Sequence, residues 1–435
     1  MSTEPGPEGH DPYLAFRIPT YRVFAASYIL AVIGSQILAT AVQWDIYALT
    51  KSKLSLAWIG ATNAIPLIAL SLPAGHVVDV MPRRKILLIT QVILIAVPWG
   101  MAIAVHYATD RERVPLLYVL SALNAITLTF ARPARVALLP NLIPRSAFAN
   151  AFTWNSSLYE TSSWVGPAIA GFLLTLGVEW AYWASGLCVL FCLGLTLKLP
   201  SPPASVSART ASWQSLVAGV RFVWRSELLL AALSLDLLAV LLGGAVYLLP
   251  VFAQERLFVS GLGYGFLRAA PALGAAMMAV FQAHYPSRRR VGRRMLWAVA
   301  GFGAATIVFG LSTSYWLSLA MLVLVGAFDN VSVVVRHTLV QSLTPDSMRG
   351  RVSAVNQVFI GASNELGGVE SGLTAHWFGP VLSVVLGGLG TIGIVLGVAY
   401  KAPRLRRLQS LYDLEPEPEE PEAERSTSAG GISSS

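Results

Sequence analysis

Six carboxylates stand in stretches of this sequence that otherwise hold almost no charge: Asp45, Glu160, Asp236, Asp329, Glu365 and Glu370. A charge near the centre of a hydrocarbon layer costs roughly 2.5–3.5 kcal/mol even on insertion scales, so each needs a reason to be there. A carboxyl group that meets water first on one side and then on the other can load a proton at one face and release it at the other. The plainer reading is a buried polar group satisfied locally. Arg268 could neutralise Asp45, Glu160 or Glu370, and Asn155, Asn330 and Asn364 could serve the remainder. A helical rise of about 1.5 Å per residue places Asp236 about 14 Å deep and Asp329, Glu160 and Glu365 about 16–20 Å deep. These four therefore cluster near the midplane of a layer about 30 Å thick. Asp329 and Glu365, at matching depth on adjacent spans, could share one proton as a coupled pair. Asp45, Glu370 and Arg268 fall in the outer third, and Arg132, Arg135 and Arg336 near the inner surface.

The elements that must hold these groups follow from composition. The 435 residues are 55% hydrophobic and 12% charged, with a mean hydropathy of +0.61, against about 25% charge in ordinary soluble domains. Apolar stretches of spanning length are expected at 24–46, 56–78, 86–106, 114–136, 148–175, 180–199, 227–252, 263–284, 295–312, 316–340, 352–376 and 379–400. They are too long and continuous for the ten-residue alternation of a membrane barrel, so they are helices. The net charge of +8 comes from basic residues that crowd the loops of one side. Lys51, Lys53, Arg111, Arg113, Arg256 and Arg268 fall towards the other side. This bias predicts both termini in the cytoplasm of a cell-membrane protein and argues against nucleic acid as a partner. Residues 1–20 are polar and Pro/Gly-rich, so the first span is expected to serve as the insertion signal. Cys188 and Cys192 read as small apolar residues, which leaves no disulfide framework and no metal site.

Residues 56–94 and 260–294 repeat one another. At an offset of 205, Gly60 meets Gly265, Pro66 meets Pro271, and Arg83-Arg84-Lys85 meets Arg288-Arg289-Arg290. At an offset of 201, Arg135 meets Arg336, Asn155 meets Asn356 and Gly171 meets Gly372. Such a duplication predicts two similar halves related by an axis along the membrane normal. The organisation expected is a cytoplasmic arm (1–18), a six-helix half (19–199), a linker with an amphipathic helix (200–226), a second six-helix half (227–401) and an acidic, disordered tail (402–435).

Between the second and third spans stands Gly75-His-Val-Val-Asp79-Val-Met-Pro-Arg83-Arg84-Lys85. Glycine permits close helix approach, Asp79 supplies a charge for a helix N-terminus, and the basic triplet anchors the loop inside. Placed in this loop of a duplicated chain, the motif resembles the signature of the major facilitator superfamily, although Val80 and Pro82 replace its usual Arg and Gly. Arg132-Pro-Ala-Arg135, Asn155-Ser-Ser, Val165-Gly-Pro-Ala-Ile-Ala-Gly171, Leu267-Arg-Ala-Ala-Pro271 and Gly361-Ala-Ser-Asn-Glu365 are similar to the branch of enterobactin exporters and macrolide-type pumps. Asp45 departs from that branch, where an uncharged residue is usual.

The resemblance implies an all-α integral membrane protein of 12 transmembrane helices in two six-helix halves. It implies that Asp79 bridges to the start of the eleventh span, at Arg349 and Arg351, when the cytoplasmic side closes. The first, fourth, seventh and tenth spans would line the cavity. This makes Asp236 and Asp329 cavity candidates and brings in Trp44, Tyr47, Tyr247, Phe252 and Phe328. An aromatic, acidic cavity suits amphiphilic or cationic organic molecules. The sequence holds no Gly-x4-Gly-Lys-Ser/Thr phosphate loop, so an ion gradient is the expected drive. The expected function is a monomeric, proton-coupled exporter of small organic molecules without cofactor or catalysis. A siderophore exporter, or an uptake porter or lysolipid flippase of the same fold, is the alternative.

Overall fold

The computed structural model describes residues 11–201, 213–285, 290–345 and 348–410. The start of the polar arm, nearly all of the 201–212 linker, Arg288 and Arg289 of the second basic triplet, and the acidic tail lie outside these residues. The first half comprises α1 (Pro19–Thr50), α2 (Lys53–Val80), α3 (Arg83–Tyr107), α4 (Asp110–Leu138), α5 (Phe148–Leu176) and α6 (Val178–Leu197). After α7 (Trp213–Arg225), the second half begins with α8 (Glu227–Leu242) and a one-turn α9 (Leu249–Val251). It continues with α10 (Gly261–His284), α11 (Val291–Leu311), α12 (Tyr315–Leu343), α13 (Arg349–Phe378) and α14 (Pro380–Lys401), ending in a short α15 (Pro403–Arg407).

Local chemistry sets the boundaries. Pro19 opens α1, where its missing N–H costs nothing. Thr109 and Glu112 form a capping box at the start of α4. Ser226 caps α8 by accepting from the Leu229 N–H. Gly177 (φ 139°) and Gly379 (φ 84°) take the sharp turns into α6 and α14. The seventh span, expected as one stretch over 227–252, is broken instead. Adjacent Gly243 and Gly244 end α8, and the chain continues through tight and wide helical turns to Arg256. Two adjacent glycines are poor helix formers, and Gly244 packs against the Gly367 backbone of α13.

Among the described residues, ten helical segments are long and apolar enough to cross a membrane. Two more, α5 with 29 residues and α13 with 30, have the length but carry more polar side chains. These two pack across the molecule, α5 on α10 and α13 on α2. Twelve long elements in two sets of six are consistent with the expected count.

The apolar core has a lopsided arrangement. At the face bearing both chain ends (the terminal face), each half has its own core. One gathers Tyr21, Phe24, Val78, Ile86, Leu138 and Ala151. The other gathers Leu229, Leu235, Met295, Leu339, Val352 and Leu405. At the far face a single core spans both halves, from Ile46, Tyr47, Leu56 and Tyr182 to Leu248, Phe252, Tyr264 and Phe309. The halves are thus joined at the far face and parted at the terminal face.

The repeated glycines mark the joint. Gly171 of α5 lies against Gly265 of α10, and Gly60 of α2 against the backbone of Glu365–Val369 in α13, with Gly372 against Ala57. Positions related by the internal repeat therefore sit in two equivalent seams, where small residues let backbones touch.

Candidate functional site

A cavity of some 790 Å³, its open mouth included, runs between α1, α2 and α4, with Glu365 of the second half on its wall. Its deep end, at Val42, Gln43, Ile59, Met101 and Ser121, abuts the far-face core. Its shallow end, at Ser35, Leu67 and Arg132, lies towards the terminal face. One stripe of α4 forms the longest wall: Ser121, Asn124, Ala125, Leu128, Thr129 and Arg132 recur at helical spacing. The lining is rich in amides and hydroxyls, not aromatic and acidic as the sequence suggested.

Glu365 stands where the halves meet. It accepts a hydrogen bond of 2.5 Å from Tyr247, and the amide of Asn63, from the first half, faces the same carboxylate. Tyr247 is held with its ring against Gly368. The expected Asp329–Glu365 pair does not form. Asp329 instead feels the charge of Glu160, on α5 of the other half.

Asp329 lines a second, much smaller space with Asp236, Val299, Phe302, Phe328 and Ser332. There Asp236 is salt-bridged to Arg336, both side chains almost wholly buried. Arg336, towards the terminal-face end of α12, is buried by this pair instead of reaching the surface. The pair joins α8 to α12, and the Ser332 hydroxyl beside it has no partner. Phe328 packs on Gly301, where a Cβ would collide with its ring.

Asp45 is also a member of a closed cluster. Arg113 donates to both its oxygens at 2.6 Å, and Tyr182 donates at 2.7 Å. In the first turn of α4, at the far-face end of that helix, Arg113 points inward to this cluster. Arg268 pairs with none of the three carboxylates proposed for it: it donates to Gln43 at 2.8 Å, because Asp45 already has its counter-ion. Glu370 accepts from Ser371 on its own helix. The three asparagines are committed elsewhere: Asn155 to Tyr21, Asn330 to Gln282 and Asn364 to its own helix.

Three of the aromatic candidates close the far face. Tyr47 and Phe252 are fully buried in the shared core, and Trp44 packs on Tyr264 with ring centroids 5.0 Å apart. They do not line the open cavity because that core reaches across both halves. Polar contacts run beside them from α1 to the second half. Tyr47 donates to Glu255, Lys51 to Gln254 at 2.7 Å, and Arg268 reaches back to Gln43. Tyr47, Lys51 and their partners form a latch on the irregular end of the seventh span.

In the loop motif, Arg84 donates to the carbonyls of Thr196 and Leu197, and Arg83 to that of Ala137. Both thereby cap helix C-termini, where carbonyls lack partners and the dipole favours a cation. Lys85 is exposed and Gly75 half-buried. Asp79 is half-buried and makes no hydrogen bond or ion pair among the described residues. Arg351 donates to the Met348 sulfur at 3.3 Å, and Arg349 is exposed. The parted terminal face leaves Asp79 free of the α13 start. The linker helix α7 lies on that same start, with Gly219 against the Arg351 carbonyl.

Sequence reading missed Gln43, Asn63, Ser121 and Asn124 as cavity residues. A signal existed in their regular placement on faces of α1, α2 and α4, but neutral side chains did not stand out among charged ones.

The chain matches the sequence family described as transmembrane secretion effector over residues 10–428. It is similar to the enterobactin exporter EntS of Shigella boydii serotype 18, 26% identical over 385 residues that cover 87% of this chain and 91% of that one. In structure it is similar to a bacterial homologue of the human lysosomal transporter Spinster in an inward-facing, occupied conformation. That match has a TM-score of 0.69 at 15% identity, covering 92% of this chain and 99% of the other. A D-xylose–proton symporter gives a TM-score of 0.68 at 14% identity, over 89% and 98% of the two chains.

Proposed function

This chain belongs to the transmembrane secretion effector family of major facilitator transporters, and from that membership we propose that it is a proton-coupled exporter of small organic molecules. It works by alternating access, as a monomeric carrier and not as an enzyme, with both termini in the cytoplasm of the cell membrane. The observation that carries this reading is the lopsided core: one seal across both halves at the far face, two separate cores and an open cavity at the terminal face. With the basic loops inside, this is an inward-open state, ready to take cargo from the cytoplasm. The relation to an enterobactin exporter supports a siderophore-like cargo as the narrower version.

Glu365 is the coupling carboxylate we favour, since it touches the cavity and is contacted from both halves. In the inward-open state it is charged and accepts from Tyr247 and faces Asn63. Outward-open, it takes a proton from outside, and with its charge removed the empty carrier returns and releases that proton inside. Asp329, which feels the charge of Glu160 on the other half, is the second candidate.

The test uses inverted membrane vesicles energised to acidify their interior. Labelled siderophores and other organic solutes should accumulate only with the protein present, and a protonophore should abolish accumulation. Glu365→Gln or Asp329→Asn should lose uphill transport, while solute exchange survives in at least one of them. If both variants still accumulate solute in a protonophore-sensitive way, the coupling assignment is wrong.

A further inference from the structure

The cavity wall has a charge preference of its own. Two charged side chains line it, Glu365 and Arg132, and they differ in what is left for a ligand. The Glu365 carboxylate already accepts from Tyr247 and faces the Asn63 amide. Arg132 makes no hydrogen bond or ion pair among the described residues and is exposed at the mouth. Its five N–H donors are all free. Glu160 and Arg135 lie in the same neighbourhood, since both act on Tyr28 together with Arg132, and Arg135 sits over the Tyr28 ring at 5.9 Å.

The deep end is biased the same way. Gln43 is only 4% exposed, and Arg268 behind it takes its carbonyl oxygen. The Gln43 –NH2 group is therefore the part left for a ligand. Ser121 is 6% exposed, lines the cavity and has a hydroxyl with no partner. Leaving a buried hydroxyl unpaired is unfavourable, and a ligand acceptor would relieve it. Asn124, one turn from Ser121 on the α4 stripe, makes no hydrogen bond among the described residues. Ser121 and Arg132 are separated along α4 by about 16 Å at helical rise, and apolar Leu38, Val42, Ile59, Leu67 and Leu128 fill the space between.

We propose that this wall selects amphiphilic organic acids. Arg132 takes the carboxylate, phenolate or phosphate at the mouth, the apolar residues take the body, and Gln43 and Ser121 donate to an acceptor at the deep end. This reverses the cationic cargo expected from the embedded carboxylates, because those are spoken for by protein partners or lie outside the cavity wall. The proposal rests on the transport reading only for the direction in which the acid moves; binding itself does not depend on it.

The test is fluorescence binding of dansyl-labelled undecanoic acid, its methyl ester and the corresponding undecylamine to the purified protein in nanodiscs. The same nanodiscs without protein correct for partition into lipid. The acid should bind about tenfold or more tightly than the ester or amine. Arg132→Gln should bring the acid down to the level of the ester without changing the ester, and Arg132→Lys should restore part of the preference. Acid and ester binding alike in the unaltered protein, no binding of the acid, or equal weakening of both by Arg132→Gln overturns the proposal. Vesicle uptake separates the two readings. Acid that binds through Arg132 but is never accumulated removes the exporter reading and leaves the site. Protonophore-sensitive accumulation of organic solutes by a protein that binds the acid no better than the ester leaves the exporter and removes the site. An acid lipid headgroup as the natural ligand would appear as displacement of the probe by lysophosphatidic acid but not by free phosphate.

Discussion

Replacing Gly171 with alanine should move the whole molecule. A Cβ at that position would stand 2.6 Å from the Gly265 Cα and 2.9 Å from the Gly261 carbonyl, where ordinary contact begins near 3.4 Å. Both obstacles are backbone of the other half, so no rotamer change can make room. α5 and α10 must separate by the better part of an ångström, and overpacking of this kind costs typically 1–3 kcal/mol. In the outward-open state proposed above the two helices part at this end, so the penalty falls on the far-face-closed state alone. The equilibrium should then shift roughly five- to 150-fold towards far-face opening. Spin labels at Lys53 and Ser314 report the far face, and labels at Ser146 and Tyr285 the terminal face. Cys188 and Cys192 would be replaced first. The variant should lengthen the first distance and shorten the second. Gly194→Ala is the control, since a methyl there meets nothing within 4 Å. Identical distance distributions in both variants would refute the idea that glycine contact holds this state.

Tyr47→Phe removes the donor to Glu255 and should shift the same two distances in the same direction, by the 1.5–3 kcal/mol of a charged hydrogen bond or less; no shift would make the latch a bystander. Asp236→Asn leaves Arg336 buried without its counter-ion and should destabilise the fold by about 3–5 kcal/mol, read as a lower melting temperature in detergent. An unchanged melting temperature would mean that water reaches Arg336. Asp79→Asn should leave the inward-open state as stable as before, since Asp79 has no partner there among the described residues, while transport slows because the inward-closed state loses its bridge to α13; normal transport would reduce the motif to a topology signal. A reporter fused after residue 401 should be cytoplasmic and one inserted near Asp110 external, and finding both on one side would sink the proposed orientation.

The fold was legible because lipid leaves a chain few options: long apolar runs must be helices, and a repeated set of six must come back in the same sense. The duplicated glycines were visible as a pattern, yet their purpose was not, since nothing in a sequence says that Gly171 touches Gly265 and not Gly372. Charges misled for a related reason. Asp45 and Arg113 are 68 positions apart, and Asp236 and Arg336 are a hundred apart, so depth could be estimated from helical rise but partners could not. Each pairing depends on the rotation of a helix about its axis, which a uniformly apolar segment hardly encodes. The cavity wall was missed because its determinants are neutral amides and hydroxyls, and because Arg132, read as a residue near the inner surface, carried no sign that it faces the cavity.

The placement of the ion pairs bears on how the molecule responds to its solvent. The two buried ones, Asp45 with Arg113 and Asp236 with Arg336, each lie within one half. Among the described residues, the contacts that must break when the halves swing are glycine backbones, apolar side chains and hydrogen bonds with at most one charged end. Separating like-for-like neutral surfaces involves little long-range Coulomb work. Breaking the far-face seal should therefore depend little on ionic strength, leaving salt to act on the terminal-face approach of Asp79 to α13, and should respond instead to whatever changes lateral pressure on the helices, such as the thickness and stiffness of the surrounding bilayer. Each half carries its own electroneutral keel, and the hinge between them is left to fit and to lipid.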